Sequence, residues 1–384
     1  MSHPSSYEFP IAATFTAYDC HCEGDVEKVV VSGLPELPKG TAFEKMKFFR
    51  QHHDHIRLFF LREPRGSMIQ SVNFIVPSEN PEAVAAYIIA EAEEYPEMSG
   101  GNTISVATTM LKTGIIPITG PITRFKLEAP AGLIGIECET ADGKVGPVKF
   151  INQPAFAYCL NKTIQLPGFG ELAVDVGYGG MTYAIVDAQQ FGFDLVASEG
   201  RRLSDLGQEI KAAAAAQIPV SHPLNHELPG ITQTMFVTPI KRAKQGIESK
   251  NAVVVSPGRV DRCPCGTGTS ARLAVLHAKG EIEEGEQFTH KSLIDSTFTA
   301  EIVATTTVGP YSAVVPSVSG RTWITSKCSY ILEEDDPYPT GYAISDTWPE
   351  MKLSVRAGAH SHMRMGAKDE GWPVKHASKL QGGA

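Results

Sequence analysis

The sequence predicts an α+β fold of two strand-rich halves, each organised around one central helix. Two observations indicate this fold. Short apolar runs typical of strands occupy much of the 384 residues. Two glycine-rich stretches with a common plan each open a helix-forming run. Because long runs of strands separate these helices, the pattern argues against the regular strand–helix alternation of a doubly wound sheet. The length of the chain favours two domains or lobes.

The two glycine-rich stretches form an internal repeat. The first, SGGNT at 99–103, leads into a helix-forming run that stops at Gly114, and the second, CGTGT at 265–269, leads into one that stops at Gly280. When they are aligned, a small nucleophilic side chain, a first glycine, a threonine and the closing glycine coincide. Two such helices facing each other would direct both N-termini at one anion.

Cys265 is the predicted centre of this site. Unpaired N–H groups and the helix dipole at a helix start favour anions and lower the pKa of a thiol. We therefore expect Cys265 to supply a thiolate beside a bound carboxylate, with Ser99 facing it from the other side. Serine is also a favoured N-cap in any helix, so a purely structural Ser99 is the alternative.

The other predicted elements follow the chain in order. A strand pair is expected from Pro10 to about Val31, and proline and glycine mark the turns between later elements. An alanine-rich run after Pro81 predicts a helix. The remaining expectations are helices at 42–52, 81–94 and 203–215, and strands at 56–62, 69–76, 124–127, 132–138, 145–151, 172–176, 183–186, 235–239 and 253–255. A strand pair is expected at 290–308 and a strand-rich segment at 314–329.

Composition excludes several classes of function. The formal net charge is −9, which argues against general nucleic-acid binding. No run reaches the ~20 apolar residues that cross a membrane, and the first ten residues lack a signal-peptide pattern. We expect a cytoplasmic protein with a small-molecule amino-acid substrate, neither nucleic acid nor membrane as partner, and a homodimer as a candidate assembly.

Seven cysteines in a chain of this size do not predict a disulfide framework. The Cys-His-Cys and Cys-Pro-Cys sequences lack the two-residue gap usual in zinc sites. The cluster His-His-Asp-His at 52–55 is interpreted as a polar loop before a strand. No metal and no cofactor are therefore expected.

The ordered motifs resemble those of the proline racemase family, which includes proline racemase, 4-hydroxyproline 2-epimerase and trans-3-hydroxy-L-proline dehydratase. The two glycine-rich stretches resemble its paired active-site motifs, and the resemblance covers nearly the whole chain. The further segments that carry it are DCHCEGD at 19–25, EPRG at 63–66, YGG at 178–180, SPGRVD at 256–261, GRTWIT at 320–325 and DDP at 335–337.

This resemblance implies two similar lobes, each a barrel-like sheet around a central helix, with the active site in the cleft between them, as in diaminopimelate epimerase. The expected first lobe is 10–125 plus about 335–365, the second is 126–334, and 366–384 is a tail. The resemblance also implies acid/base roles for Cys265 and Ser99. The expected substrate-binding residues are Gly100, Gly101, Asn102, Asp261, Gly266 and Thr267, with Asp261 holding the substrate ammonium.

Departures from the family pattern bear on the reaction. Racemases and epimerases usually carry cysteine at both catalytic positions, whereas Ser99 stands at the first. Gly101 replaces a common histidine, and Asp25 replaces the usual glutamate. In trans-3-hydroxy-L-proline the α-hydrogen lies on the hydroxyl's face, so one acid/base can remove the proton and then protonate the leaving hydroxyl.

Racemisation needs proton exchange on both faces of the substrate, and serine substitutes poorly for a thiol. We therefore favour dehydration of trans-3-hydroxy-L-proline to Δ1-pyrroline-2-carboxylate. The alternatives are a 4-hydroxyproline 2-epimerase or proline racemase, and a non-catalytic small-molecule binding protein on the same scaffold.

Overall fold

A computed structural model of the chain describes residues 11–348, so the predicted tail and the end of the predicted first lobe lie outside the described residues. The described part forms one continuous 18-stranded sheet and five α-helices. The helices are α1 Ala42–His52, α2 Asp54–Leu61, α3 Gly100–Lys112, α4 Gly200–Gln217 and α5 Gly266–Ala278. The strands are β1 Ile11–Cys22, β2 Asp25–Ser32, β3 Gln70–Val76, β4 Ala85–Ala90, β5 Ile122–Ala129, β6 Gly132–Glu139, β7 Val148–Ile151, β8 Ala155–Leu166, β9 Gly170–Tyr178, β10 Thr182–Asp187, β11 Gln233–Val237, β12 Lys241–Arg242, β13 Ile247–Val255, β14 Arg259–Val260, β15 Phe288–Lys291, β16 Thr297–Val308, β17 Tyr311–Gly320 and β18 Thr322–Glu333.

Eight strands pair in a closed ring, and α5 packs against them. The ring runs through β8, β9, β10, β11, β13, β15, β16 and β17 and returns to β8. Helix α5 contacts β8, β9, β10, β16 and β17. It is buried from Gly266 through Leu276, so this helix is covered by sheet on nearly all sides.

Helix α3 has the equivalent position in the other part of the sheet. It contacts β1, β2, β3, β7, β17 and β18, and it is buried from Gly100 through Leu111. Both helices span 13 residues, and both are followed by a left-handed glycine, Gly114 at φ 74° and Gly280 at φ 70°. The predicted repeat is therefore confirmed as two helices of equal length with the same C-terminal stop.

The helices begin earlier than the sequence predicts, because the glycine-rich stretches form their first turns and do not precede them. The remaining helices lie on the outer side of the sheet. Apolar side chains of α1 and α2 form a core with β1, β3 and β4, and α4 packs over β8, β11 and β13. Helix α1 begins with a capping box in which Thr41 and Glu44 exchange side-chain to backbone hydrogen bonds.

Two predicted elements are wrong in type. The predicted strand at 56–62 is helix α2, in which Asp54 pairs with Arg57 one turn later. The predicted helix at 81–94 contains strand β4 instead. Alternate residues of β4 face two different cores: Tyr87 joins the one around α3, and Ile88 joins the one under α1 and α2. A strand buried on both faces reads as a continuous apolar run, which periodicity alone does not separate from a helix.

The sheet is continuous across the predicted lobe boundaries. Strand β5 spans the boundary expected between residues 125 and 126, and β18, expected in the second lobe, pairs along the length of β1. The division into lobes stays a prediction. Within residues 11–348, no helix is long and apolar enough to cross a membrane.

Candidate active site

The N-termini of α3 and α5 meet end to end. A Cβ atom built on Gly100 would lie 2.6 Å from the Cα of Gly266, and one built on Gly266 would lie equally close to the Cα of Gly100. The ring of Phe150 closes one side of this contact, 2.7 Å from the Cβ position of Gly100. Only glycine fits at both positions, so the two first turns direct their unpaired N–H groups into one region.

A buried cavity lies at this junction. Six of the eight predicted site residues line it: Ser99, Gly101, Asn102, Asp261, Cys265 and Gly266. The other two contact it indirectly. Gly100 touches Gly266, and the Thr267 hydroxyl lies 2.6 Å from the Tyr183 hydroxyl, itself a lining residue.

Cys265 is the N-cap of α5 and has φ 61°, a left-handed conformation that is uncommon outside glycine. Its N–H donates to Cys263 Sγ at 3.3 Å, and its own Sγ lies 3.4 Å from the Tyr183 hydroxyl. The surroundings therefore fix both the backbone and the thiol of Cys265.

The charge state of the thiol differs from the sequence-based expectation. Burial and the negative charge of Asp261 raise the pKa of Cys265 well above its ordinary value. Hydrogen bonds from Tyr183, the Gly268 N–H and Thr267 lower the pKa of the thiol, but they do not outweigh burial. The helix start does supply donors to sulfur, yet burial outweighs them, so the expected net lowering of the pKa of Cys265 is wrong.

Ser99 is the N-cap of α3, but its side chain makes no capping hydrogen bond. Its Oγ accepts a hydrogen bond from Asn102 Nδ2 at 2.9 Å. The amide oxygen of Asn102 in turn accepts from Asn73 at 2.6 Å and from Ser71 at 2.8 Å. The Ser99 hydroxyl is thus held in the cavity by a buried chain of side-chain amides and hydroxyls, whereas a capping serine would accept from a backbone N–H of its helix.

Asp261 belongs to a buried charge cluster. Arg259 lies 2.9 Å from Asp261 and 3.5 Å from Glu91, and all three line the cavity. Burial, with the nearby charge of Asp25 and Glu91, raises the pKa of Asp261 to about 7 despite Arg259. Burial also raises the pKa of Glu91 to about 7. One guanidinium therefore faces several carboxyls, so the cluster can accept a substrate ammonium.

Sequence analysis missed several residues of the cavity. Tyr183 lies on β10, Gln233 on β11 and Arg259 on β14. Glu27 lies on β2, and Glu91 directly follows β4. Arg259 stands within the SPGRVD segment quoted above, which was the available signal for it. The others carry no local motif, and only strand pairing brings them to the helix starts.

The site is built for electrostatic and acid/base chemistry. Two sets of first-turn N–H groups can bind a carboxylate, a thiol and a hydroxyl lie beside them, and buried acids can take an ammonium. Among residues 11–348, no group of three or more histidine, cysteine or acidic side chains is arranged to hold a metal ion. All seven cysteines are free thiols.

Comparisons with known proteins identify a family and solved structures that the chain resembles. Residues 17–343 match the family model for proline racemase. The chain is 35% identical to a hydroxyproline epimerase from Agrobacterium vitis, solved with bound trans-4-hydroxy-L-proline, with a TM-score of 0.81 over 88% of this chain and 97% of the other. A probable proline racemase from Agrobacterium radiobacter K84, solved with bound carbonate, is 34% identical, with a TM-score of 0.81 over 87% of this chain and 98% of that one.

A more distant similarity concerns the fold alone. A methylitaconate-delta-isomerase structure is 13% identical, with a TM-score of 0.51 over 86% of this chain and 97% of the other. The match to the family model spans most of the chain. This chain therefore belongs to the proline racemase family and is one of its enzymes.

Proposed function

We propose that this enzyme removes the α-proton of a proline derivative without a cofactor, and that its reaction is dehydration of trans-3-hydroxy-L-proline to Δ1-pyrroline-2-carboxylate. The observation that carries this proposal is the pair of contacting helix starts with the thiol of Cys265 beside them, supported by hydrogen-bond donors. An α-carbanion places charge on the substrate carboxylate, and fixed N–H groups stabilise that charge in a buried site.

The substrate carboxylate lies between the first turns of α3 and α5 in this proposal. Backbone N–H groups at Gly100, Gly101, Gly266 and Thr267 are the candidate donors. Asp261 takes the substrate ammonium, which neutralises the charge that raises the thiol pKa. Ligand binding thereby favours ionisation of Cys265 at the moment when a base is needed.

Elimination requires only one acid/base. The Cys265 thiolate takes the α-proton, the C–O bond breaks, and the leaving hydroxyl takes the proton from Cys265 to form water. The resulting enamine gains a proton at the ring carbon that carried the hydroxyl and loses one from the ring nitrogen as it tautomerises to the cyclic imine. Ser99 contributes little to this sequence, because its partner Asn102 donates to it and cannot accept its proton.

Epimerisation of 4-hydroxyproline is the second candidate. It is favoured by the relative from Agrobacterium vitis, whose structure is described as a hydroxyproline epimerase with bound trans-4-hydroxy-L-proline. In that reaction Ser99 would be the proton-transfer group on the face opposite Cys265. We also propose that the parts of the sheet around α3 and around α5 form two lobes with the substrate between them.

Variants at Ser99 separate the two reactions. If elimination uses one thiol, Ser99→Ala reduces imine formation from trans-3-hydroxy-L-proline only modestly, and Ser99→Cys creates or raises epimerisation of trans-4-hydroxy-L-proline. If the enzyme is an epimerase, Ser99→Ala removes a proton-transfer group that typically contributes about 10²–10⁴-fold. Both activities are followed by product formation and by α-hydrogen exchange in deuterated water. Elimination that collapses in Ser99→Ala but persists in Cys265→Ala would assign the base to Ser99 and refute the one-thiol reaction.

A further inference from the structure

Three polar atoms around the cavity lack a hydrogen-bond partner within the described part of the chain. They are Oε2 of Glu27, Oε1 of Gln233 and Nε of Arg259, and all three are buried. A buried polar atom without a partner costs free energy, so such atoms in a cavity indicate where a polar ligand completes the hydrogen bonding. The reaction proposed above assigns no role to Glu27.

Glu27 occupies space that a side chain at position 101 would fill. Its Oε1 lies 2.9 Å from the Cβ position of Gly101, and Cys22 and Cys263 lie 3.8 Å from the same point. The carboxyl also contacts Ser105, one turn further along α3. Glu27 is only 2% exposed, so its position beside the start of α3 is fixed by packing. Its second oxygen is therefore left for the ligand.

We propose that Glu27 binds a hydroxyl group on the substrate ring and so selects hydroxylated proline over proline itself. This inference rests on the proposed function, since it assumes that a proline derivative occupies the cavity. It assigns a substrate-binding role to a residue outside the two helix starts, on strand β2.

The chemistry of the carboxyl suits a hydroxyl. Burial, with the nearby charge of Asp25 and Glu91, raises the pKa of Glu27 well above its ordinary value, although Ser105 and Arg259 act in the opposite direction. A neutral carboxylic acid both donates and accepts a hydrogen bond, as a hydroxyl does. A second ammonium on the substrate would instead require an ionised carboxylate in this buried position.

Direct binding tests the proposal without turnover. Dissociation constants of trans-3-hydroxy-L-proline, trans-4-hydroxy-L-proline and L-proline are measured by calorimetry in a Cys265→Ala background. We expect at least one hydroxylated ligand to bind about 10- to 100-fold more tightly than L-proline, because an unpaired buried group penalises the ligand that lacks the hydroxyl. Adding Glu27→Ala should weaken the binding of that ligand to the affinity of L-proline. The dissociation constant of L-proline itself should change by no more than about threefold.

Two further variants test the same role of Glu27 if Glu27→Ala folds poorly. Glu27→Gln retains the volume, a donor and an acceptor, and should preserve most of the preference. Gly101→Ala places a methyl group against Glu27 Oε1 and should reduce the preference for hydroxylated ligands over L-proline. The control is Glu97→Gln, which removes another buried carboxyl whose burial raises its pKa to about 7 and which does not line the cavity. It should leave the preference unchanged.

The failures are distinguishable. Equal binding of L-proline and the hydroxylated ligands, equal weakening of all three by Glu27→Ala, or tighter binding of 4-amino-L-proline would overturn the role of Glu27 while the proposed reaction stands. Selective binding with neither imine formation nor α-hydrogen exchange in the wild type would overturn the reaction and keep Glu27 as a hydroxyl contact. Absence of binding by every proline derivative would overturn both.

Discussion

The end-to-end contact of α3 and α5 predicts that Gly100→Ala damages stability and activity together. The added Cβ would lie 2.6 Å from a backbone carbon of Gly266 and 2.7 Å from the Phe150 ring, closer than carbon atoms approach in folded proteins. The nearest atom is main chain, so relief requires one helix start to move. Overpacking of this kind typically costs about 1–3 kcal/mol, which opposes the better helix propensity of alanine.

Gly200→Ala is the matched control, because Gly200 is the first residue of α4 just as Gly100 is the first residue of α3. Apart from its chain neighbours and the backbone of its own helix, nothing lies within 4 Å of a Cβ built on Gly200. Reduced freedom of the unfolded chain should make that variant neutral or more stable by up to about 1 kcal/mol. Urea unfolding of both variants and the wild type therefore should separate them by roughly 1–4 kcal/mol.

The activities of Gly100→Ala and Gly200→Ala should differ in the same direction as their stabilities. A displaced helix start moves the N–H donors relative to Cys265, and a misplacement of about 1 Å can reduce a rate about 100-fold. We expect that loss in kcat/KM for Gly100→Ala and wild-type kcat/KM for Gly200→Ala, measured by imine formation from trans-3-hydroxy-L-proline. Equal stability and equal activity of the two variants would show that the helix starts do not touch as described, and the carboxylate site built on that contact would fall with it.

Two further predictions concern Cys265 and Asp261. Cys265→Ala should abolish turnover while leaving the unfolding transition nearly unchanged, and substrate should protect the wild-type thiol from alkylation; full turnover by the variant would remove Cys265 from the mechanism. Because the pKa of Asp261 in the folded protein is raised to about 7, the folded state binds more protons than the unfolded state between about pH 4 and 7, so this residue's contribution to stability is present at low pH and lost as pH rises through 7. The difference in free energy of unfolding between wild type and Asp261→Asn, measured in urea across this range, should therefore decrease with rising pH, and a difference that rises with pH would contradict the assignment.

Local sequence determined the two helices at the centre of the fold. Each helix-forming run has glycine in its first turn and a glycine after its last residue. These glycines predicted where both helices end and placed Ser99 and Cys265 at the helix starts. These signals are local because capping and backbone conformation involve residues a few positions apart. The ordered motifs likewise identified the family without any structure.

Local sequence did not determine the secondary structure of the short apolar runs. The sequence at 56–62 forms α2 and the alanine-rich run after Pro81 contains β4, since burial on opposite faces by different cores decides their conformation. Propensity is a weak prior where tertiary packing supplies most of the free energy.

The charge state of the site was decided only by the tertiary structure. From sequence alone, a thiol at a helix start is expected to have a lowered pKa. Burial and the charge of Asp261 instead raise the pKa of Cys265. Glu27 and Tyr183 carry no motif, and they reach the helix starts only because β2 and β10 pair into the sheet at those positions. Desolvation and charge proximity depend on residues far apart in the chain, and sequence spacing does not contain them.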